Sequence, residues 1–343
     1  MPGPYDLGRA DLAALLHDEP GYRVEQVWRG LHEQSLRPAE MTNLPVPLRD
    51  RLESALPPAL RLVTESVSEG RKTVKWLWAL SDGAQVETVL MHYPERATVC
   101  VSSQAGCAMG CTFCATGQAG FTRQLSAGEI VEQVVAARRA AAPSRLSNVV
   151  FMGMGEPLAN YDRVWAAIVR LHDDLGLSAR HLTVSTVGVV PGIRRLATEA
   201  LPVNLAVSLH AANDRLRNSL VPLNRRYPLG LLLEACRQYL TAKGRRLSFE
   251  WALIAGVNDR PADAEELADL VRPLGAHVNL IPLNPTPGYP VRGTSAGGVR
   301  HFRDQLTALG VNATVRRNRG TDIDAACGQL AARAGALAIA SGR

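Results

Sequence analysis

The sequence predicts an α/β protein: an open, partial (β/α)6 barrel preceded by a small N-terminal helical domain and a β-meander. Three observations carry the prediction. From about residue 97, short apolar runs alternate six times with amphipathic segments; the polar motifs fall just after the apolar runs; and turn signals mark a meander upstream. Strand–helix alternation implies parallel strands with right-handed crossovers. Six units are too few to close an eight-fold barrel, so the sheet is expected to stay open.

In chain order, residues 1–57 read as short helices, with apolar positions at 3–4 spacing over 7–17 and 21–34 and a further turn beginning at Pro45. Residues 58–96 change character. LRLVTESVS, TVKWLWALS and AQVETVLMHY are separated by Glu69-Gly70 and Asp82-Gly83, the pattern of a β-meander. Residues 97–330 form the barrel, with strands expected at 97–102, 148–152, 182–185, 204–208, 248–254 and 277–281. Helices are expected at 127–142, 161–175, 191–200, 229–243, 262–271 and 298–309, with an edge strand at 313–317 and a tail over 331–343. Ser126 and Glu129 have capping-box spacing at the start of the first barrel helix.

Composition narrows the class. Of the 343 residues 46% are hydrophobic and 20% charged, as in an ordinary globular protein. No stretch approaches the ~20 apolar residues of a membrane span, and the N-terminus lacks the basic-then-apolar layout of a signal peptide. Six cysteines are too few for a disulfide scaffold, so a cytoplasmic protein with no membrane partner is expected, a monomer by default. The net charge of +6 is uneven: residues 1–97 carry 11 Lys/Arg against 14 Asp/Glu, and the remainder 27 against 18. An arginine-rich catalytic part suits a polyanion such as nucleic acid, although scattered arginines equally make a solvated face.

The chemistry concentrates in Cys107-Ala-Met-Gly-Cys111-Thr-Phe-Cys114. Closed iron–sulfur carriers use four cysteines and structural zinc sites use four Cys/His ligands. Three thiolates on one loop suggest instead a 4Fe-4S cluster with one iron open to an exchangeable ligand. Phe113 within the loop covers a nucleotide base, shields the cluster from water or packs in the core.

The remaining motifs sit on the same rim, where parallel barrels carry their active sites. Gly153-Met-Gly155-Glu156-Pro157 offers close backbone approach beside a carboxylate suited to an ammonium group. Ser185, Ser208, His210 and Asn284 end later strands, with hydroxyl, imidazole and amide groups suited to a ribose or carboxylate. Cys100 opens the barrel, Cys236 fits a buried helix position, and Cys327 lies among small residues far beyond the last helix.

The segments VCVSSQAGCAMGCTFCATGQAGFTR, FMGMGEPLANYDRV, LTVSTVGVVPGI, LAVSLHAANDRLR, NLIPLNPTPG and RRNRGTDIDAACGQL run in order over residues 97–330. Together they resemble the RlmN family of dual-specificity RNA adenine-C2 methyltransferases, of the radical S-adenosylmethionine (SAM) class. The resemblance implies a partial barrel of the radical SAM type. It implies a 4Fe-4S cluster on Cys107, Cys111 and Cys114 with SAM on the open iron, and SAM contacts from Gly155, Glu156, Ser185, Ser208, Leu209, His210 and Asn284.

It further implies that two SAM molecules serve each turnover. One methylates Cys327. The other, cleaved at the cluster, yields a radical that activates the S-methyl group to add to adenine C2. Glu87 then removes the C2 proton, and Cys100 resolves the RNA–enzyme crosslink, leaving a Cys100–Cys327 disulfide. Implied partners are 23S rRNA, tRNA and a flavodoxin-type electron donor, with the N-terminal domain helping to hold RNA and Arg316, Arg317 and Arg319 meeting phosphates. The sister C8-specific enzyme Cfr shares these chemistry residues. A radical SAM enzyme acting on another substrate would not need Cys100 and Cys327.

Overall fold

The computed structural model describes residues 3–284, 286, 291–316, 320–326 and 328–330. Helices α1 (Arg9–Leu15), α2 (Tyr22–His32) and α3 (Val46–Ala55) come first, α3 opening on prolines where the missing N–H is harmless. Strands β1 (Arg61–Val67), β2 (Thr73–Ala79) and β3 (Gln85–His92) then pair antiparallel. Their turns pass through Gly70 and Gly83 at φ 73° and 84°, which side-chain-bearing residues rarely adopt. The expected meander is present and does not stand apart, because β3 pairs with β4 (Ala97–Cys100) and so extends the barrel sheet.

From β4 the chain alternates as the sequence predicts. Strands β7 (Leu146–Phe151), β8 (Leu182–Thr186), β9 (Asn204–Ser208), β10 (Leu247–Leu253), β11 (His277–Pro282) and β12 (Ala313–Val315) add in sequence order, all parallel to β4. Among the described residues this is one ten-stranded open sheet with β1 and β12 at its edges. Between β4 and β7 lie a small hairpin of β5 (Gln104–Gly106) and β6 (Phe121–Gln124), the one-turn helix α4 (Ala115–Ala119) and helix α5 (Ala127–Ala141). The outer helices are α6 (Tyr161–Asp173), α7 (Val190–Thr198), α9 (Leu229–Lys243), α10 (Pro261–Val271) and α11 (Ala296–Ala308). A short helix not foreseen, α8 (Asp214–Leu220), is capped by the Asn213 side chain.

The capping box forms as expected: Glu129 N–H donates to Ser126 Oγ at 3.1 Å and Ser126 N–H to the Glu129 carboxylate at 2.8 Å. One hydrophobic core runs from Leu12 and Leu52 in the N-terminal helices through Val131 and Val134 of α5 to Phe249 and Trp251 of β10. Polar ties reinforce the N-terminal packing. Trp28 donates to Asp174 at 3.2 Å, and the Glu132 carboxylate accepts the N–H groups of Ala59 and Leu60 at 3.0 and 3.1 Å.

Register sorts the side chains. Paired residues share a face, so the pairs Glu87–Leu77, Val89–Cys100, Cys100–Val150 and Glu250–Asn279 place all of these on the concave side. Trp76 and Trp78 point the other way, Trp78 donating to Thr88 at 3.0 Å.

Candidate active site

A pocket opens where the parallel strands end. Its lining includes Cys107, Cys111 and Cys114, Gly155 and Glu156, Ser185, Ser208, His210 and Asn284. Tertiary structure thus gathers nine residues singled out from sequence on five separate strand-end loops.

The cysteine loop is held by backbone geometry. Gly106 and Gly110 have φ of 76° and 66°, and Cys107 N–H donates to Gly120 O at 2.7 Å. Thr112 N–H donates to Leu220 O at 3.1 Å, docking the loop on α8. Cys111 is buried with Phe113, Leu220, Val221 and Ile254. Burial, with smaller contributions from neighbouring Glu156 and Cys114, pushes the Cys107 thiol up to about 12; burial pushes Cys111 up as well. Buried thiols of this kind ionise only beside a compensating cation, and iron supplies one. Among the described residues no three Cys, His, Asp or Glu side chains converge on a single metal-sized point. A cubane takes one thiolate per iron and needs no such convergence. Three thiols on one wall and polar groups on the others therefore suit a cluster with an open vertex.

Glu156 is fully enclosed. Its carboxylate accepts the N–H groups of Leu158 at 3.0 Å and Val187 at 2.8 Å, and its own N–H donates to Gln104 Oε1 at 2.7 Å. Burial raises its pKa to about 7, and those N–H donors pull it back. The glycines before it are sterically required. A Cβ on Gly153 would lie 2.7 Å from Val101 O, and one on Gly155, at φ 100°, would lie 2.6 Å from the Gln104 side chain. The Ser102 hydroxyl fastens this loop, donating to Glu87 O at 2.6 Å and accepting from Met154 N–H at 2.9 Å.

His210 sits at φ 61° with its ring 4.6 Å from that of Phe113. Its Nδ1 accepts Ala252 N–H at 2.9 Å, so the neutral ring carries its proton on Nε2. Burial, and then the Arg217 charge, lower its pKa to about 3. Phe113, left open by the sequence among base cover, cluster shield and core, lines the pocket and packs in the core beside Cys111.

Leu209, Glu87 and Cys100 do not line this pocket. The Leu209 side chain is fully buried, and only its backbone faces the site's neighbours: its N–H donates to Glu250 O at 3.0 Å. Glu87 and Cys100 lie further along the concave face, Glu87 paired with Lys75 at 3.0 Å. Cys327, Arg317 and Arg319 lie outside the described residues. Their neighbours are placed. Gly328 lines the pocket and accepts Ala115 N–H at 2.8 Å, and Leu330 O accepts the Thr116 hydroxyl at 2.6 Å. Arg316 lines the pocket too, its guanidinium 3.8 Å from Met152 Sδ.

Two residues escaped sequence reasoning. Glu250 is buried in the pocket wall, accepting from Ser248 at 3.2 Å and Asn279 at 2.9 Å. A carboxylate between Phe249 and Trp251 in an otherwise apolar strand was the available signal. Arg217, on α8, is 1% exposed.

Residues 101–271 match the Radical SAM superfamily. The fold superposes on a radical SAM methyltransferase from Sphaerobacter thermophilus with a TM-score of 0.93 and 52% identity, covering 96% of this chain and 99% of that one. Fold and site define a radical SAM enzyme, a class that implies a 4Fe-4S cluster and SAM. The chain is 55% identical to the probable dual-specificity RNA methyltransferase RlmN of Parafrankia sp., over 91% of this chain and 86% of that protein. It is 51% identical to the protein of the same description in Chloroflexus aurantiacus, over 96% and 92%. The chain belongs to the RlmN family, and it is a SAM-dependent RNA methyltransferase. Among the described residues no helix is long and apolar enough to cross a membrane.

Proposed function

We propose that this enzyme methylates C2 of adenine in 23S rRNA, at the peptidyl-transferase centre, and in tRNA, at the adenine 3′ of the anticodon. The observation that carries the proposal is the position of Gly328, which brings the residue next to Cys327 to the wall of the three-cysteine pocket.

Cys107, Cys111 and Cys114 would hold the cluster, three thiolates for a group that also takes SAM. When bound, the cluster would supply the electron for reductive cleavage of SAM. Glu156 accepts hydrogen bonds from the SAM ammonium group, Gly155 admits its methionine part, and Ser185, Ser208, His210, Asn284 and the Leu209 backbone hold its ribose and carboxylate.

Adenine C2 is an electron-poor carbon and no nucleophile, so direct displacement on a methyl sulfonium fails there. Cys327 solves this by taking the methyl group from a first SAM and presenting it, after hydrogen abstraction, as a carbon radical that adds to C2. Two SAM molecules are consumed. The radical adduct gives up its unpaired electron, for which the oxidised cluster would be the acceptor, Glu87 removes the C2 proton, and Cys100 attacks the sulfur of Cys327, releasing methylated RNA and leaving a disulfide for a reductant to open. A flavodoxin-type donor supplies the electrons.

Residues 1–57 act as an RNA-holding domain linked by the meander of 58–96 to the catalytic barrel of 97–330, and Arg316 meets RNA near the pocket mouth. The target base leaves its stack to enter. The enzyme works as a cytoplasmic monomer.

Anaerobic assay on both RNAs, with mass spectrometry locating the methyl group, tests the proposal. C2 product is expected; C8 product would transfer the chain to the sister activity. Cys327→Ala should retain SAM cleavage and yield no methylated RNA, and unaltered methylation in that variant would dismiss the proposed role of Cys327.

A further inference from the structure

Arg217 is the least expected charge in the molecule. Its side chain is almost fully enclosed. Nε donates to Leu209 O at 3.0 Å, one terminal nitrogen to Asn224 Oδ1 at 2.7 Å, and the other to Val187 O at 2.7 Å and Ser208 O at 3.1 Å. Every one of these acceptors is neutral. Buried guanidinium groups ordinarily face a carboxylate, because an unpaired interior charge costs several kcal/mol. Among the described residues the hydrogen-bonded route from Arg217 to a carboxylate runs through Asn224, whose Nδ2 donates to Asp214 Oδ1 at 2.8 Å. Burial lowers the Arg217 pKa to about 10, which still leaves it a cation at neutral pH.

The position of that charge is specific. Val187, whose carbonyl Arg217 holds, gives its own N–H to Glu156. Ser208 lines the pocket, and Leu209 precedes His210. One side chain therefore ties the β8 and β9 loops together at the point where both meet the site. The helix carrying it also packs on the cysteine loop, with Leu216, Leu220 and Val221 against Cys111 and Phe113.

We propose that Arg217 is a positioning residue whose buried charge, hydrogen-bonded to neutral acceptors, raises the reduction potential of the cluster held by Cys107, Cys111 and Cys114. The inference rests on the cysteine reading above. Reduction adds one electron to the cluster, from an external one-electron donor such as a reduced flavoprotein or dithionite, with no bond made or broken and no proton moved. Added negative charge is stabilised by a nearby cation in a low-dielectric surrounding. Charge and hydrogen bonding around a cluster are the protein's main means of setting its potential.

The test is a redox titration of the anaerobically reconstituted holoenzyme, without SAM, followed by electron paramagnetic resonance of the reduced cluster. Arg217→Gln removes the charge and keeps hydrogen-bond donors; Arg217→Lys keeps the charge and loses the fork. At fixed potential the reduced-to-oxidised ratio should fall about tenfold in Arg217→Gln, a shift of about 59 mV for a one-electron couple. It should stay within about twofold of native in Arg217→Lys. Asp214→Asn removes the remote counter-charge while preserving its hydrogen-bond acceptor, and should move the ratio upward.

Equal falls in both Arg217 variants, or no fall in either, would overturn the proposal. If Arg217→Gln takes up no cluster, Asp214→Asn decides alone, and a ratio that fails to rise overturns it. Iron and sulfide analysis of native protein separates the two readings. No cluster there would sink the cysteine assignment and this inference together, whereas a full cluster with an insensitive potential would sink only the inference.

Discussion

Lys75 Nζ stands 3.0 Å from the Glu87 carboxylate and also donates to the backbone carbonyl of Asp324 at 3.2 Å. One ammonium group on β2 thus joins the proposed base to the segment leading into Cys327. A second link lies nearby, where Glu69 N–H donates to the Asp322 carboxylate at 2.9 Å. The meander therefore carries the proposed base and is bonded to the segment that leads toward Cys327. Removing one partner of a buried ion pair leaves the other charge stranded. Lys75→Met should keep SAM cleavage near native while slowing release of methylated RNA by at least about tenfold, so that crosslinked enzyme–RNA accumulates on denaturing gels. Native release rates in that variant would remove Lys75 from the step.

Glu156→Gln replaces an acceptor that serves two N–H donors. The amide can satisfy one of Leu158 and Val187 and must turn its own NH2 toward the other. Leaving a buried donor unpaired costs about 1–3 kcal/mol, so SAM affinity, measured by equilibrium dialysis, should drop by about tenfold or more, with iron content retained.

Gly153→Ala tests backbone approach rather than polarity. The new Cβ would collide with main-chain atoms of Val101 and Ser102, which cannot swing aside as a side-chain tip can. Overpacking of this kind costs about 1–3 kcal/mol. A lower Tm together with weakened SAM binding is the expected pair of results, and native values for both would show that β4 and β7 can separate without consequence.

Thr116→Val removes the hydroxyl that anchors Leu330 O at 2.6 Å and keeps the shape of the side chain. The segment carrying Cys327 should loosen. Methylation should slow by about tenfold while SAM cleavage stays within about twofold, because methyl loading and addition to RNA need that segment in place and cleavage itself does not.

His32 gives the N-terminal helices an acid-sensitive point. Its ring stacks on Trp28 at 4.1 Å, and among the described residues neither ring nitrogen has a hydrogen-bond partner. Burial holds its pKa down at about 4, against 6.5 when exposed. The unfolded chain takes up the proton first as pH falls, so the stability is complete above pH 6.5 and is lost between there and about 4. A tenfold difference in proton affinity between folded and unfolded chains is worth about 1.4 kcal/mol. His32→Phe should therefore lose less Tm than native protein between pH 7.5 and 5, and identical losses would refute the assignment.

Much of this protein was decided locally, and so was readable in its sequence. Strand–helix alternation, the Ser126 cap, the turn glycines and the cysteine spacing depend on neighbours a few residues away, and each stands where the pattern placed it. The rim residues from Cys107 to Asn284 were also legible, because parallel connectivity sends every strand end to one side. Long-range contact decided the rest. Arg217 lies in a helix the sequence pattern did not foretell, and the packing of α8 against two strand-end loops turns it inward. Glu87 and Cys100 share the pocket's concave face because β3 joins β4 in a register that no local pattern specifies. Burial supplies the physical reason. A charge becomes chemically distinctive when water is taken from it, and which charges lose their water depends on how the whole sheet closes over them.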